Sequence, residues 1–452
     1  MPFRFGISTM TFCPHLFLRV ELSIDGQRVS GVAADHLPPK WFTKNPQTPF
    51  KDDVADMLRV IRHAGEAAKE ITGAASPFAL WQRLYARQAA WIEQEKLPPL
   101  LGFFGVTLVE RAMLDAYCRA TGVPFAQALR SNQLGIEGMA LDLLPQKPLR
   151  SVISRHTVGL TDPITAEDIP PAERLDDGLP QSLDQCIRAY GLTHFKIKLC
   201  GDVAKDLHRL RRLAEVIERE TLQYAFTLDG NENFHELEPF RRLWDALTAD
   251  PALQGFLANL IFVEQPFHRD VALGEGVKRA MLAWSDRPPI IIDESDSTLG
   301  SLSIALESGY VGTSHKNCKG IFKGIQSACR IEGLRRSRPE ANWILSGEDL
   351  SNIGPVSLPQ DLAVMANLGI THVERNGQHY FRGVSFLPED LQETMLRHHG
   401  DVYRRHERGY PTLDIRDGKI AVGSVVDAPF GVGFAFDPGR FTPLDEWTFE
   451  SM

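Results

Sequence analysis

The sequence predicts an α/β fold: an eight-stranded parallel (β/α) barrel, preceded by an N-terminal α+β domain and followed by a C-terminal segment that returns to that domain. Three observations predict it. From about residue 152 to 375, short apolar runs alternate with helical stretches; eight such runs occur, mostly about 20 to 40 residues apart; and several of them end in Lys, Asp or Glu. Eight βα units of that spacing make up the roughly 250 residues of a TIM-type barrel, whose functional groups gather where the strands end. A doubly wound sheet is the competitor. No GxGxxG follows the first run, however, and Gly431-Val432-Gly433 has no βα unit left to serve.

Residues 1–150 read as the capping domain. Phe3 to Phe12 and Leu16 to Leu22 are rich in apolar and β-branched types, and Asp25-Gly26 is a hairpin turn signal before Val29 to Ala33. Helical spacing takes over at Val54, Met57, Leu58, Val60 and Ile61, and again at Leu108, Ala112, Met113, Ala116 and Tyr117. Residues 151–400 hold the barrel, with strands expected at Val152–Val158, His194–Lys198, Ala225–Asp229, Leu260–Glu264, Ile290–Asp293, Tyr310–Lys316, Trp343–Ser346 and Ile370–Glu374. Residues 401–452 carry strand signals from Thr412 with a turn at Asp417-Gly418, and are expected to pack on the cap.

Composition narrows the function. Lys and Arg number 49 against 58 Asp and Glu, a net charge of −9 without a basic stripe, so nucleic acid is not the expected partner. No apolar run approaches the roughly 18 to 20 residues that span a bilayer, and Met1 to Phe12 lacks a secretory signal pattern; a cytoplasmic location is expected. The six cysteines form no CxxC pair, which points to free thiols rather than structural zinc or a disulfide scaffold. The expected partner is a small molecule.

The charged residues that end the runs carry the chemistry. Strand two ends Phe195-Lys196-Ile197-Lys198, with both lysines on one face by the period-two rule. Strand three ends in Asp229-Gly230-Asn231, strand four in Glu264-Gln265-Pro266, strand five in Asp293-Glu294-Ser295, and strand six in Ser314-His315-Lys316. Each item alone has a plain structural reading: a solvated Lys-x-Lys edge, an Asp-Gly turn, a strand end. Three carboxylates at the same ends of adjacent apolar strands would repel one another unless a cation compensates them. Together with the lysines they make a hard-cation site beside amines. Glu294 faces the opposite side of its strand from Asp293 and is assigned a supporting place.

These motifs, with 23 residues between Asp293 and Lys316, resemble the enolase superfamily, and most closely the muconate-lactonizing branch of the mandelate racemase/muconate lactonizing enzyme family. Leu114-Asp115-Ala116-Tyr117, the segment from Gly122 to Leu129, and Gly431 to Asp437 resemble the family's capping helix and returning C-terminal segment, so the similarity covers nearly the whole chain. The resemblance implies Mg²⁺, with Mn²⁺ as a substitute, held by Asp229, Glu264 and Asp293, and removal of a proton α to a carboxylate through a metal-stabilised enediolate. It implies Lys198 as base, Lys196 as its electrostatic partner and Lys316 on the other face of a small carboxylate substrate, in a homo-oligomer. Racemisation or epimerisation, cycloisomerisation and β-elimination all remain open, because they share that enediolate.

The departures are informative. The glycine pair that usually follows the strand-six lysine is absent, so Lys319 rivals Lys316; an insertion follows strand three; and the loop that covers substrate in relatives is reduced to Cys13-Pro14-His15. His372, Glu374, Glu348 and Asp349 are further candidates for substrate contact, whereas His156 reads as a packed histidine. The readings from other classes are a Schiff-base aldolase using a barrel lysine and a catalytically silent binding protein.

Overall fold

The computed structural model describes residues 1–452. The chain opens with two antiparallel hairpins: β1 (Phe3–Phe5) with β2 (Ser8–Met10), and β3 (His15–Ile24) with β4 (Gln27–His36). The single run expected from Phe3 to Phe12 is broken at Gly6, whose φ of +49° turns the chain back. Asp25 and Gly26, at φ 50° and 79°, form the two-residue turn between β3 and β4, where both central positions need the left-handed region.

Three helices follow: α1 (Phe50–Lys69), α2 (Pro77–Glu95) and α3 (Pro99–Thr121). α1 buries Val54, Met57, Leu58, Val60, Ile61 and Ala64 along one side, while Asp52 and Asp53 at its start and Lys69 at its end complement its dipole. α3 is buried along most of its length and packs directly on β4. A methyl group on Gly31 of β4 would lie 2.2 Å from the Ala112 carbonyl oxygen of α3, so only glycine permits that approach.

Eight parallel strands form the barrel: β5 (Ser151–Val158), β6 (His194–Lys198), β7 (Ala225–Asp229), β8 (Leu260–Glu264), β9 (Ile290–Ile292), β10 (Gly312–His315), β11 (Ile344–Gly347) and β12 (His372–Arg375). Each lies beside the next, and β12 pairs back onto β5 to close the ring. The last four begin or end one to two residues away from the expected limits. Asp293 and Lys316 thus stand just beyond β9 and β10, where the chain leaves the ladder for the rim. Lys198, Asp229 and Glu264 are in register across three strands, and Glu264 pairs with Ile291, which leaves Asp293 two residues higher. Phe262, Ile291 and Ile344 cluster together, and the Arg155 guanidinium stands over the Phe262 ring at 5.3 Å.

Beyond the barrel, β13 (Tyr403–Arg405) pairs with β14 (Pro411–Leu413), and β15 (Lys419–Ala421) lies antiparallel to the start of β5. The strand at 419–421 therefore joins the barrel, and it is the residues after it that reach the cap. Phe125 N–H donates to the Pro429 carbonyl at 2.8 Å, Arg119 Nη2 to the Val432 carbonyl at 2.9 Å, and Phe436 and Phe441 pack on Phe17. Cap and barrel are also joined by Glu110 of α3. Its two oxygens accept from Ile321 N–H at 3.0 Å and Phe322 N–H at 2.7 Å, the first turn of the helix Ile321–Ser337 that follows β10. No helix is long and apolar enough to cross a membrane.

Candidate active site

The carboxyl ends of the barrel strands meet the cap around one cavity of about 40 Å³. Lys196, Lys198, Asp229, Asn231, Asp293, Glu294, Lys316, Asp349 and Glu374 line its barrel side. Phe3, Phe5, Met10, Pro38, Trp41 and Leu350 supply an apolar wall. Five of the six site residues expected from the sequence therefore share this cavity, and the sixth, Glu264, lies behind it with no exposed surface.

Glu264 is engaged by Lys196, whose Nζ lies 2.8 Å from Glu264, 2.8 Å from Glu348, 3.1 Å from Glu374 and 3.1 Å from Asp229. Burial opposes the charge on Lys196, but these carboxylates outweigh it and hold the ammonium well above its usual range. One ammonium does not balance four acids, and burial together with Glu348 pushes the Glu264 carboxyl up. Arg155, fully buried, supplies a second cation by pairing with Glu348.

Lys198 Nζ donates to Asp229 Oδ2 at 2.6 Å, and Asn231 donates to Asp229 Oδ1 through both its backbone and side-chain nitrogens at 2.8 Å. Across the ring, Lys316 Nζ lies 2.8 Å from Asp293 Oδ2, while Ser314 and Lys319 donate to Asp293 Oδ1 at 2.6 and 3.1 Å. Burial alone would raise the Asp293 carboxyl, yet Lys316 and Lys319 hold it well below the usual carboxylate range. Lys316 stays charged by the same pairing against the burial that opposes it. Lys319 is 2% exposed at its side chain and absent from the cavity wall, so Lys316 is the strand-six lysine that reaches it.

Glu294 corrects the strand-face assignment. β9 ends at Ile292, so the alternation of faces no longer governs residue 294, and its side chain lines the cavity. Its Oε2 is buried without a partner, and burial plus the charges of Asp293, Glu232 and Asp229 push the carboxyl up to about 8. Glu374 also lines the cavity. His372 does not: it opens β12 at the far end of the barrel, with its ring 5.7 Å from that of His194. His156 is buried against His379, as a packed histidine should be.

The cover is the part that sequence reading missed. The loop at Cys13-Pro14-His15 is short, but the β1–β2 hairpin takes its place: Phe3, Phe5 and Met10 line the cavity, and Gly6 N–H donates to Asn231 Oδ1 at 3.3 Å. A second strap is anchored by Arg269, which donates to the Trp41 and Phe42 carbonyls at 2.9 Å and pairs with Glu232 at 2.7 Å. It lays the Trp41 ring 4.5 Å from Lys316 Nζ.

No three Asp, Glu, His or Cys groups converge closely enough to grip a metal ion, because lysines stand between the carboxylates. The chemistry of the donors nonetheless fits a hard divalent cation. Asp229, Asp293 and Glu294 bring only oxygen to the cavity, and the Glu294 oxygen without a partner sits where neighbouring acids leave an excess of negative charge.

No family model matches the chain, and no curated protein matches it. Solved structures do. A mandelate racemase/muconate lactonizing enzyme from Bordetella bronchiseptica RB50 superposes with a TM-score of 0.56 at 13% identity, over 97% of this chain and 99% of that one. One from Roseiflexus sp. gives 0.53 at 18% identity over 94% and 95%, and a muconate cycloisomerase variant gives 0.51 at 15% over 90% and 88%. The chain thus has the capped-barrel fold of the mandelate racemase/muconate lactonizing enzyme proteins.

Proposed function

We propose that the protein is an enzyme that removes the proton α to the carboxylate of a small acid and returns a proton to the carbanion, as a racemase or epimerase. The observation that carries this reading is the placement of Lys198 and Lys316. They stand at the ends of β6 and β10, four strands apart in a closed ring of eight, and line one cavity from opposite walls. A proton taken by one lysine and supplied by the other inverts the carbon between them. For one enantiomer Lys198 takes the proton and Lys316 supplies it, and for the other the two exchange roles; each is paired with a carboxylate, Lys198 with Asp229 and Lys316 with Asp293. Lys196 adds positive charge where the carbanion's charge develops.

Asp229, Glu264 and Asp293, with Glu294 beside them, would hold a divalent cation such as Mg²⁺, with Mn²⁺ as a substitute; when bound, it supplies positive charge beside the substrate carboxylate. The β1–β2 hairpin and the Trp41 strap exclude water and press an apolar surface on the substituent at the reacting carbon. The substrate class is accordingly a carboxylic acid with an aryl or aliphatic substituent rather than a polyhydroxylated one. Cycloisomerisation and β-elimination pass through the same kind of enediolate but use only one of the two opposed lysines to move its proton.

The test is solvent-deuterium incorporation at the α-carbon, followed by NMR in D2O with Mg²⁺. The panel contains aryl-substituted acids, N-acylamino acids, dipeptides and acid sugars. Exchange accompanied by inversion in an apolar-substituted acid supports the reading. Cation binding with no exchange across the panel would favour a silent binding protein, and borohydride trapping of a keto acid would favour a Schiff-base aldolase.

A further inference from the structure

The hairpin β3–β4 is a sheet of two strands, and the outer edge of β3 has no partner. Beyond its ladder with β4, no backbone hydrogen bond of the chain reaches residues 16–24. The strand is ten residues long, and its register with β4 runs from His15 to Ile24 without a bulge. It contains no proline. The devices that keep such an edge from pairing with other chains are here limited to its two charged side chains, Arg19 and Glu21. Alongside it runs a largely apolar groove of about 1100 Å³, which the even-numbered side chains Leu16, Leu18, Val20 and Leu22 share with α1, α3 and the C-terminal segment between Pro438 and Trp447.

The turn fixes which backbone groups are free. In a hairpin closed by a two-residue turn, Ile24 and Gln27 exchange both hydrogen bonds, and every second residue back along β3 does the same with β4. The N–H and C=O groups of Phe17, Arg19, Glu21 and Ser23 therefore point outward. Antiparallel pairing of two such edges must place odd residues opposite odd residues.

Two two-fold registers satisfy that condition while pairing all but one residue of β3. Centring on Arg19 sets two arginines opposite each other. Centring on Val20 sets Arg19 opposite the partner's Glu21 at both ends of the contact. It also brings Leu18 to the partner's Leu22 and Leu16 to the partner's Ile24 on the face towards the helices. Within one chain Arg19 and Glu21 meet each other at 3.6 Å, with side chains 52% and 59% exposed; so exposed a pair is worth little and is exchanged for the two cross-strand pairs.

We propose that β3 pairs antiparallel with β3 of a second copy of this chain, about a two-fold axis at Val20, joining two caps through one four-stranded sheet. The contact is isologous, so each charge pair and each leucine pair occurs twice. The partner is selected by the alternation of Arg19 and Glu21, which is complementary only to itself reversed.

Sedimentation equilibrium of the full chain tests this with Arg19→Glu and Glu21→Arg. The native chain is expected to form an even-numbered assembly. Either reversal alone puts like charges at both cross-strand pairs and weakens self-association at least about tenfold. An equimolar mixture of the two variants puts opposite charges back at both pairs and restores assembly, which also shows that each variant is folded. A monomeric native chain, unchanged association in both single variants, or a mixture no tighter than its components would each overturn the proposal.

Discussion

Truncating the two opposed lysines one at a time separates the two faces of the reacting carbon. In Lys198→Ala, Asp229 keeps Lys196 at 3.1 Å and the Asn231 backbone N–H at 2.8 Å; in Lys316→Ala, Asp293 keeps Lys319 at 3.1 Å and Ser314 at 2.6 Å. Neither variant strands a buried charge, so the fold survives and the loss falls on the chemistry. Removing a general acid or base typically lowers the rate about 10²- to 10⁴-fold, or roughly 3 to 5 kcal/mol of barrier. That loss should fall on one enantiomer in Lys198→Ala and on the other in Lys316→Ala, read as the decay of the α-proton signal in D2O for each enantiomer. Inversion should be lost in both, because the proton must leave by one wall and return by the other. Lys319→Ala is the control, expected to slow exchange on the Lys316 side less than Lys316→Ala does. Equal loss for both enantiomers in both lysine variants would refute the opposed-wall geometry. If Lys319→Ala alone abolished exchange on one face, the strand-six acid would be Lys319.

Three other outcomes follow from particular contacts. Lys196→Met should lower stability by about 3 to 5 kcal/mol in urea unfolding at pH 8, because it leaves Glu264 and Glu374 buried without their cation; an unchanged midpoint would contradict the burial of that cluster. In calorimetric Mg²⁺ titration, Glu294→Gln should weaken binding at least as much as Asp293→Asn, since Asp293 already has two lysine partners and Glu294 has an oxygen with none. Asp361, held at about 7 against its usual 3.8 by burial, with Arg375 opposing and Asp35 adding to the rise, ionises first in the unfolded chain. Native stability should therefore fall as pH rises from about 4 to about 7, by as much as ~4 kcal/mol. Asp361→Asn should flatten that fall, and a slope unchanged by the substitution would place its origin elsewhere.

The barrel was legible in the sequence because alternating strands and helices leave their mark locally, and strand-end charges such as Asp229 and Lys198 stand on regular ladders. Where regularity stops, so does the reading. Glu294 lies two residues past the end of β9, and the face rule that served Lys196 and Lys198 has no hold on it. Lys319 was legible only as a rival, because the contact that turns it onto Asp293 depends on the short turn after β10. The acids around Lys196 come from four other strand ends, as far away as Glu374, 178 residues along the chain, a convergence that no local pattern carries. The cover was missed for a different reason: Phe3, Phe5 and Met10 read as one apolar strand, and only the turn at Gly6 folds them over the cavity.

The return of residues 429–441 to the cap has a consequence for how the molecule is made. Phe125 N–H waits for the Pro429 carbonyl, Arg119 for Val432, and Phe17 for Phe436 and Phe441. The cap is encoded first, yet its last contacts come from residues translated about 300 positions later, on the order of 15 to 60 s at ribosomal speeds. During that interval the nascent cap exposes the Phe17 side of its hairpin, and the barrel must emerge and close before the chain's final stretch can cover it. Synthesis of this protein is therefore a race between barrel closure and capture of an unfinished cap, and slowing translation within residues 151–428 should lower the soluble yield without altering the finished fold.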